Sequence, residues 1–255
     1  MKYAIMTDTH VGCSVNHNSA VINVIKDVEK QKPDILIISG DIVSHHIKQR
    51  TELFSYLRRV FPNIPILIVN GNHDYWNEEN KSPQEMEAEF EEIDACYNIL
   101  SLNGENDFLF HGVYICGAML WYHEAEVGTQ DYTYIPNYRE GSYKYLVDKA
   151  HAEYAKCLAR ATAYKREIGL PTMLITHFPI VKAMINPKYK DKVYFGANPK
   201  YEEFLDSIDY VISGHYHTPF VGLASNGRTK AIMVGSDYEK PTYIMMEISI
   251  EKKDK

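Results

Sequence analysis

Residues 34–41 of this 255-residue chain read DILIISGD, an unbroken apolar run that ends in a glycine and a carboxylate. The run has no alternating polar residues, so both faces of the strand that it predicts should be buried. Strands of this kind occupy the centre of a sheet that helices cover. The stretch therefore predicts a central strand in an α/β fold.

Similar runs rich in β-branched residues recur along the chain, and each is predicted to be a strand. They cover residues 3–7, 34–39, 64–69, 113–120, 172–176, 210–213, 231–234 and 243–248. Helical patterns lie between the early runs, and this β-α-β-α-β order implies parallel strands with right-handed crossovers. The first helix is expected to have Ser19 as its N-cap and to stop before Pro33. Further helices are expected at about residues 48–60, 82–96 (from the capping box Ser82-Pro83-Gln84-Glu85) and 142–168, with a short one from Asn198-Pro199.

The composition fits a globular chain and argues against some classes of function. Hydrophobic residues make up 45% and charged residues 24%, and the net charge is −7. This acidic balance argues against a large basic surface for duplex nucleic acid. No run approaches the roughly 18 apolar residues that span a bilayer, so no membrane partner is expected. The four cysteines form no Cys-x-x-Cys pair and fit reduced thiols, which predicts a cytoplasmic location.

Polar residues of metal-binding type follow five of the predicted strands. They are Asp8 and His10, Gly40-Asp41, Gly71-Asn72-His73-Asp74, His177, and Gly214-His215-Tyr216-His217. Because open α/β sheets place their sites at the C-terminal ends of the strands, these side chains are expected to converge. The glycines before Asp41, Asn72 and His215 are expected to permit a sharp exit and a close backbone approach.

The candidate ligands combine oxygen and nitrogen donors without a thiolate. Two aspartates, one asparagine and four histidines suit Mn²⁺, Fe, Zn²⁺ or Ni²⁺ better than Ca²⁺, which prefers oxygen alone. Seven ligands exceed the four of a structural zinc site. They suit two divalent ions about 3.5–4 Å apart with a bridging carboxylate, and Mn²⁺ is the favoured identity.

These motifs resemble those of the calcineurin-like metallophosphoesterases. Asp8-x-His10, Gly40-Asp41, Gly71-Asn72-His73-Asp74, His177 and Gly214-His215-x-His217 stand in that family's order and approximate spacing, from about residue 3 to residue 218. The stretch Gly117-Ala118-Met119-Leu120-Trp121, followed by Asn137-Tyr138-Arg139, is similar to a compact, mainly bacterial and phage branch. The resemblance implies a four-layer αββα sandwich, in which two mixed β-sheets are flanked by helices.

The resemblance also implies a role for each candidate ligand. Asp8, His10 and His217 bind the first metal ion, Asn72, His177 and His215 bind the second, and Asp41 bridges the two. Many members carry a second acid three residues after the bridging aspartate, and Ser44 stands at that position. We expect this serine to alter metal tuning or hydrogen bonding without loss of the site.

The expected chemistry is hydrolysis of a phosphate ester by metal-activated hydroxide, with phosphodiesters favoured over phosphomonoesters. His73 is the candidate general acid for the leaving group, and Asp74 is expected to orient its imidazole and keep it protonated. Arg139 is a candidate contact for the substrate phosphate, and a surface ion pair is the alternative.

The chain is expected to form a single domain over residues 1–255. Residues 121–170 break the alternation of strands and helices, and we expect them to be an insertion over the active-site side. Tyrosines cluster there, and packing of the insertion or a dimer contact is favoured over stacking on a nucleobase.

Two alternative functions remain open at this point. The first is a manganese-dependent nuclease that acts on single-stranded or flexible nucleic acid, which would make nucleotides or single strands the partners. In its favour, residues 8–12 resemble the opening of the double-strand-break repair nucleases of the same superfamily. The second is a non-catalytic metal-binding scaffold, against which the retention of all seven ligands and His73 argues.

Overall fold

The computed structural model describes residues 1–44, 46–122, 129–185, 196 and 199–250, which form two β-sheets between helices. The strands are β1 (Lys2–Met6), β2 (Ile35–Ser39), β3 (Ile66–Val69), β4 (Leu100–Ser101), β5 (Phe108–Phe110), β6 (Val113–Ala118), β7 (Thr172–Thr176), β8 (Tyr210–Ser213), β9 (Phe220–Leu223), β10 (Lys230–Met233) and β11 (Tyr243–Glu247). The α-helices are α1 (Val15–Gln31), α2 (Ile47–Val60), α3 (Pro83–Cys96), α4 (Gln130–Tyr134) and α5 (Tyr143–Ile168).

Both sheets are mixed. The first has the order β11-β1-β2-β3-β4, in which β1 to β4 run parallel and β11 pairs antiparallel with β1. The second has the order β5-β6-β7-β8-β10-β9, with a parallel centre and antiparallel edges β5 and β9. This architecture confirms the predicted α/β sandwich of two mixed sheets flanked by helices.

Alternate residues of the first sheet face two different cores. In β2, Ile35 and Ile37 pack in the core shared with the second sheet, whereas Leu36 and Ile38 pack in the core formed with α1 and α2. All four side chains are fully buried, and each contributes roughly 1.5–3 kcal/mol by leaving water. The apolar run without alternation is thus explained by a strand that is covered on both faces.

The outer face of the second sheet is covered by α5. Its buried stripe recurs every three or four residues and consists of Leu146, Ala150, Tyr154, Cys157 and Ala161. Because this spacing places the residues on one face, a helix that is otherwise polar can pack on β6 and β7. Within the stretch expected to be an insertion, α5 thus forms an outer layer on the second sheet, and α4 carries Asp131, which lies 2.9 Å from Asn72 Nδ2.

Some element boundaries differ from those predicted. Ser14, not Ser19, is the N-cap of α1, because the Ser14 hydroxyl accepts a hydrogen bond from the His17 N–H at 3.1 Å. The predicted capping box of α3 is confirmed. The short strands β4, β5 and β9 were not predicted. A 3-10 helix covers Pro199–Ser207, and Asn198 lies outside the described residues.

No helix within the described ranges is both long and apolar enough to cross a bilayer.

The pairing of β11 with β1 joins distant parts of the chain in one sheet. This pairing supports the proposal that residues 1–255 form a single domain.

A buried acid on α5 should make the stability of the protein depend on pH. Burial raises the pKa of Glu153 from 4.5 to about 8, and the nearest cation is Lys149 at 3.6 Å. Because the folded-state pKa of Glu153 lies above its unfolded value, the contribution of this residue to stability is greatest below pH 4.5 and falls as the pH rises towards 8. Between these two pH values, Glu153 lowers the free energy of unfolding by up to about 1.4 kcal/mol per pH unit.

We therefore expect Glu153→Gln to remove part of the stability loss between about pH 5 and 8.5, as measured by urea denaturation. Glu167→Gln, at an exposed position of the same helix, should leave the pH dependence unchanged. Parallel pH profiles for Glu153→Gln and the wild type would show that Glu153 ionises freely in the folded state.

Candidate functional site

The side chains that follow β1, β2, β3, β7 and β8 converge at the C-terminal ends of these strands. Asp41 lies at the centre, with its Oδ1 3.2 Å from His177 Nε2 and its Oδ2 3.5 Å from His10 Nε2. His10 Nε2 is 3.2 Å from His217 Nε2, which in turn is 3.5 Å from Asp8 Oδ1. Both sheets contribute to this cluster.

The predicted ligands fall into two groups that share Asp41. One ligand atom from each of Asp8, His10, Asp41 and His217 lies within 4.8 Å of the others, and the same holds for Asp41, His177 and His215. Asn72 joins the second group, because its Oδ1 is 3.0 Å from His177 Nε2. The structure thus brings all seven residues together, in the grouping that two neighbouring ions would require.

The charges of the cluster fit divalent cations. Asp8 and Asp41 are buried, and Asp8 Oδ2 has no hydrogen-bond partner among the described residues. Burial and the nearby charges of Asp8 and Asp74 raise the pKa of Asp41 well above its usual range. Burial lowers the pKa of His177 to about 4, so this imidazole is neutral and available as a ligand at neutral pH. Although burial acts in the opposite direction, Asp8, 3.5 Å from His217 Nε2, raises the pKa of that imidazole, so His217 would have to lose its proton on binding a metal ion. Two buried carboxylates surrounded by imidazole nitrogens form a site that suits divalent metal ions.

The backbone is strained at most of these positions. Five of the seven residues have φ in the left-handed region: Asp8 (50°), His10 (40°), Asp41 (48°), His215 (69°) and His217 (52°). Non-glycine residues adopt this conformation at a cost of order 1 kcal/mol each, and such residues concentrate at functional sites. The strand ends therefore turn sharply where the ligand side chains begin.

The glycines in the motifs allow the segments to approach closely, as predicted. Gly40 has φ 82°, and a Cβ there would lie 2.0 Å from His177 Nδ1. A Cβ on Gly71 would lie 2.2 Å from Asp41 Oδ1. Any side chain at either position would displace a residue of the cluster.

His73 lies beside the cluster and is held by aromatic rings. Its ring stacks on Trp76 with a centroid distance of 3.5 Å, and its Nε2 is 3.9 Å from Asp41 Oδ2. Burial and the neighbouring histidines lower the pKa of His73 well below its usual range. The neutral imidazole therefore dominates at neutral pH in this arrangement.

Asp74 does not orient His73, which corrects the prediction. The Asp74 carboxylate accepts backbone hydrogen bonds from Gly71 (2.7 Å), Ile42 (3.1 Å) and Val43 (3.0 Å). His73 Nδ1 has no hydrogen-bond partner in the described part of the chain. Asp74 instead ties together the two loops that carry Asp41 and Asn72, because its side chain turns towards the backbone of both.

Ser44 and Arg139, the two remaining positions singled out in the sequence, lie in different surroundings. Ser44, at the place of the missing acid, is buried and donates a hydrogen bond to the carbonyl of His10 at 3.1 Å. Arg139 is exposed, and its guanidinium lies over the ring of Tyr132 at 5.5 Å from the centroid. Within the described ranges, Arg139 makes no contact with the cluster, so its proposed role in phosphate binding has no support from the geometry.

Three residues near the cluster were not predicted from the sequence. Trp76 stacks on His73, and Tyr238, which follows β10, stacks on His10 with a centroid distance of 4.4 Å. Asp131 accepts a hydrogen bond from Asn72 Nδ2 at 2.9 Å. Trp76 stands two positions after the motif Gly71-Asn72-His73-Asp74, and this closeness is a signal in the sequence. Tyr238 and Asp131 stand outside every motif.

Comparisons with known sequences point to one family. The sequence model of the family described as calcineurin-like phosphoesterase matches residues 1–219. An uncharacterized metallophosphoesterase of Helicobacter pylori (strain J99) is 23% identical over 219 residues, which cover 85% of this chain and 44% of the relative. A component of the nuclease SbcCD from Staphylococcus saprophyticus is 21% identical over 236 residues, 86% of this chain and 57% of that protein. The chain thus spans about half the length of these relatives.

Solved structures share the fold at low sequence identity. A phosphopantetheinyl hydrolase from Mycobacterium tuberculosis has a TM-score of 0.62 at 15% identity, over 91% of this chain and 88% of that one. A dimetal phosphatase from Danio rerio has a TM-score of 0.62 at 11% identity, over 96% and 91%. At these identities the likeness shows the fold alone.

Removal of the Asp74 carboxylate should destabilise the protein. In Asp74→Ala, three buried N–H groups lose their acceptor and the buried Arg50, 3.9 Å away, loses a counter-charge. We expect a loss of at least about 3 kcal/mol in the free energy of unfolding, measured by urea denaturation of the metal-free protein. His73→Ala is the control and should cost far less. Equal stability of the two variants would contradict the tethering role of Asp74.

Proposed function

This chain belongs to the calcineurin-like phosphoesterase family, and we propose that it hydrolyses phosphate esters with two divalent metal ions. Asp8, His10 and His217 would hold one ion and Asn72, His177 and His215 the other, with Asp41 between them. The sharing of Asp41 by both ligand groups is the observation that carries this proposal. A single metal site would need no such shared carboxylate.

When bound, the two ions would supply Lewis-acid activation of water and neutralise charge on the phosphate. Asp41 would set the separation of the two ligand groups, because each of its oxygens faces a different histidine. A bound phosphate ester would bring negative charge beside His73 and favour its protonated form, from which Nε2 would donate a proton to the departing oxygen. Stacking on Trp76 fixes the plane of the His73 ring for this role.

We favour phosphodiesters over phosphomonoesters because of the charges beside the cluster. Among the described residues, no lysine or arginine contacts His10, His73 or His217, whose ring neighbours outside the cluster are Trp76 and Tyr238. A phosphomonoester carries up to two negative charges near neutral pH, whereas a diester carries one. The diester therefore needs less neutralisation from the protein.

A nuclease acting on single-stranded or flexible nucleic acid is the second candidate. It is favoured by the similarity to a relative named as a component of the nuclease SbcCD. The net charge of −7 argues against it, because nucleic-acid binding relies on positive surface charge.

We further propose that the ion is Mn²⁺, which the mixed oxygen and nitrogen donors suit. We also propose a cytoplasmic location, which the free cysteines support.

Asp41→Asn should abolish hydrolysis, because it weakens both ligand groups at once. We expect turnover of bis-p-nitrophenyl phosphate with added Mn²⁺ to fall by at least about 100-fold, since changes even outside the ligand shell cost roughly 10–100-fold. Asp34→Asn, at the exposed opposite end of β2, is the matched control and should retain activity.

The same assay separates the candidate functions when it includes p-nitrophenyl phosphate and single-stranded oligonucleotides. Faster hydrolysis of the diester supports our preference, and salt-sensitive cleavage of oligonucleotides would place the nuclease first. Undiminished activity in Asp41→Asn would refute the two-metal proposal, and a wild type that binds Mn²⁺ without hydrolysing any substrate would favour a non-catalytic scaffold.

The role of His73 depends on the leaving group. In His73→Ala we expect a loss of about 10²–10⁴-fold for alkyl phosphate esters, whose leaving oxygen needs a proton. Nitrophenyl esters leave as stable anions and should be affected little. His151→Ala, at an exposed histidine of α5, serves as the control. Equal losses with both kinds of ester would contradict proton donation by His73.

A further inference from the structure

A buried carboxylate from outside the motifs touches the candidate metal centre. Asp131, in the short helix α4, is 4% exposed. Its Oδ1 accepts hydrogen bonds from Asn72 Nδ2 at 2.9 Å and from Trp76 Nε1 at 2.7 Å. Its Oδ2 accepts one from the Tyr122 hydroxyl at 3.0 Å. Donors from two segments of the chain thus hold this carboxylate in place.

The contact with Asn72 decides which end of the amide faces the metal ligands. An asparagine amide has an oxygen acceptor and a nitrogen donor of nearly equal size, so it can sit in either of two orientations. An ionised carboxylate only accepts hydrogen bonds, which places Nδ2 on the Asp131 side. Oδ1 is then on the opposite side, where it lies 3.0 Å from His177 Nε2.

The other donor to the same oxygen is linked to the candidate acid. Trp76 donates to Asp131 Oδ1, and its indole stacks on the His73 ring. One carboxylate oxygen therefore restrains both a proposed metal ligand and the ring that supports His73. Because Asp131 lies 59 positions from Asn72, the contact comes from a separate part of the fold.

We propose that Asp131 is a positioning residue that presents the Asn72 oxygen to the second metal ion and so sets the affinity for that ion. The inference rests on the proposed two-metal function. In the described part of the chain, the hydrogen-bond partners of the Asp131 carboxylate are Asn72, Trp76 and Tyr122, and none of them belongs to the group Asp8, His10 and His217. The ion that this group would hold should therefore depend on Asp131 much less than the ion beside Asn72.

Calorimetric titration of Mn²⁺ into the metal-free full chain tests the proposal. In Asp131→Leu we expect the second Mn²⁺ to bind about 10- to 100-fold more weakly, with the first step unchanged. Asp131→Ser, which leaves room for water around Trp76 and Tyr122, carries the same expectation should Asp131→Leu not fold. Asp131→Asn retains an oxygen acceptor and should restore most of the affinity.

Tyr122→Phe is the matched control, because it removes the hydrogen bond to Oδ2 and leaves the oxygen shared with Asn72. It should weaken binding of the second Mn²⁺ far less than Asp131→Leu does, because Asn72 and Trp76 still donate to Oδ1. A loss in Tyr122→Phe equal to that in Asp131→Leu would show that general loosening of α4 is responsible, which overturns the proposal. Unchanged binding of both ions in Asp131→Leu and Asp131→Ser would overturn it as well.

Hydrolysis gives a second readout that separates this inference from the proposed function. In Asp131→Ser, excess Mn²⁺ should restore kcat for bis-p-nitrophenyl phosphate, whose leaving group depends little on His73, so that the variant needs more Mn²⁺ for the same turnover. A kcat that stays low at saturating Mn²⁺ would contradict a role in ion affinity alone. If the wild type binds two ions and Asp131→Ser loses the second, but neither hydrolyses a phosphate ester, the positioning role holds and the proposed function fails.

Discussion

Two carboxylates buried side by side are the constraint on which the candidate site depends. Asp8 and Asp41 follow neighbouring parallel strands, so the sheet itself forces them together. Burial lowers the pKa of His10 and His177, whereas Asp8 raises the pKa of His217. Negative charge in such a pocket is costly unless cations offset it. The same residues that would make the folded protein less stable without metal would therefore favour cation binding, which would link folding to ion binding.

The remaining scaffold holds this unfavourable arrangement in place. Asp74 fastens the loops that carry Asp41 and Asn72, and the fully buried Arg50 connects Asp74 at 3.9 Å to Asp94 through a bidentate pair at 2.9 Å. Left-handed backbone at the strand ends adds strain that the sheets must absorb. The apolar cores on both faces of the first sheet supply the stability for this.

Much of the fold could be predicted because its central strands are apolar on both faces. The edge strands β4, β5 and β9 could not, since they are two to four residues long and exist only through pairing with their neighbours. The ligands were found because glycine and strand ends mark them in the sequence. Asp131 and the partners of Asp74 were not, because their roles arise from burial and from contacts between distant segments.

The span of the ligand set along the chain has a consequence for how the protein matures. His10 and His217, which nearly touch, are 207 positions apart. During synthesis on a ribosome, no complete ion site exists until this late segment has emerged and docked. Contacts of such long range form slowly, so an ion cannot act as the nucleus of folding. An ion would bind only after this late segment has docked, and by binding the folded form it would add to the stability of that form.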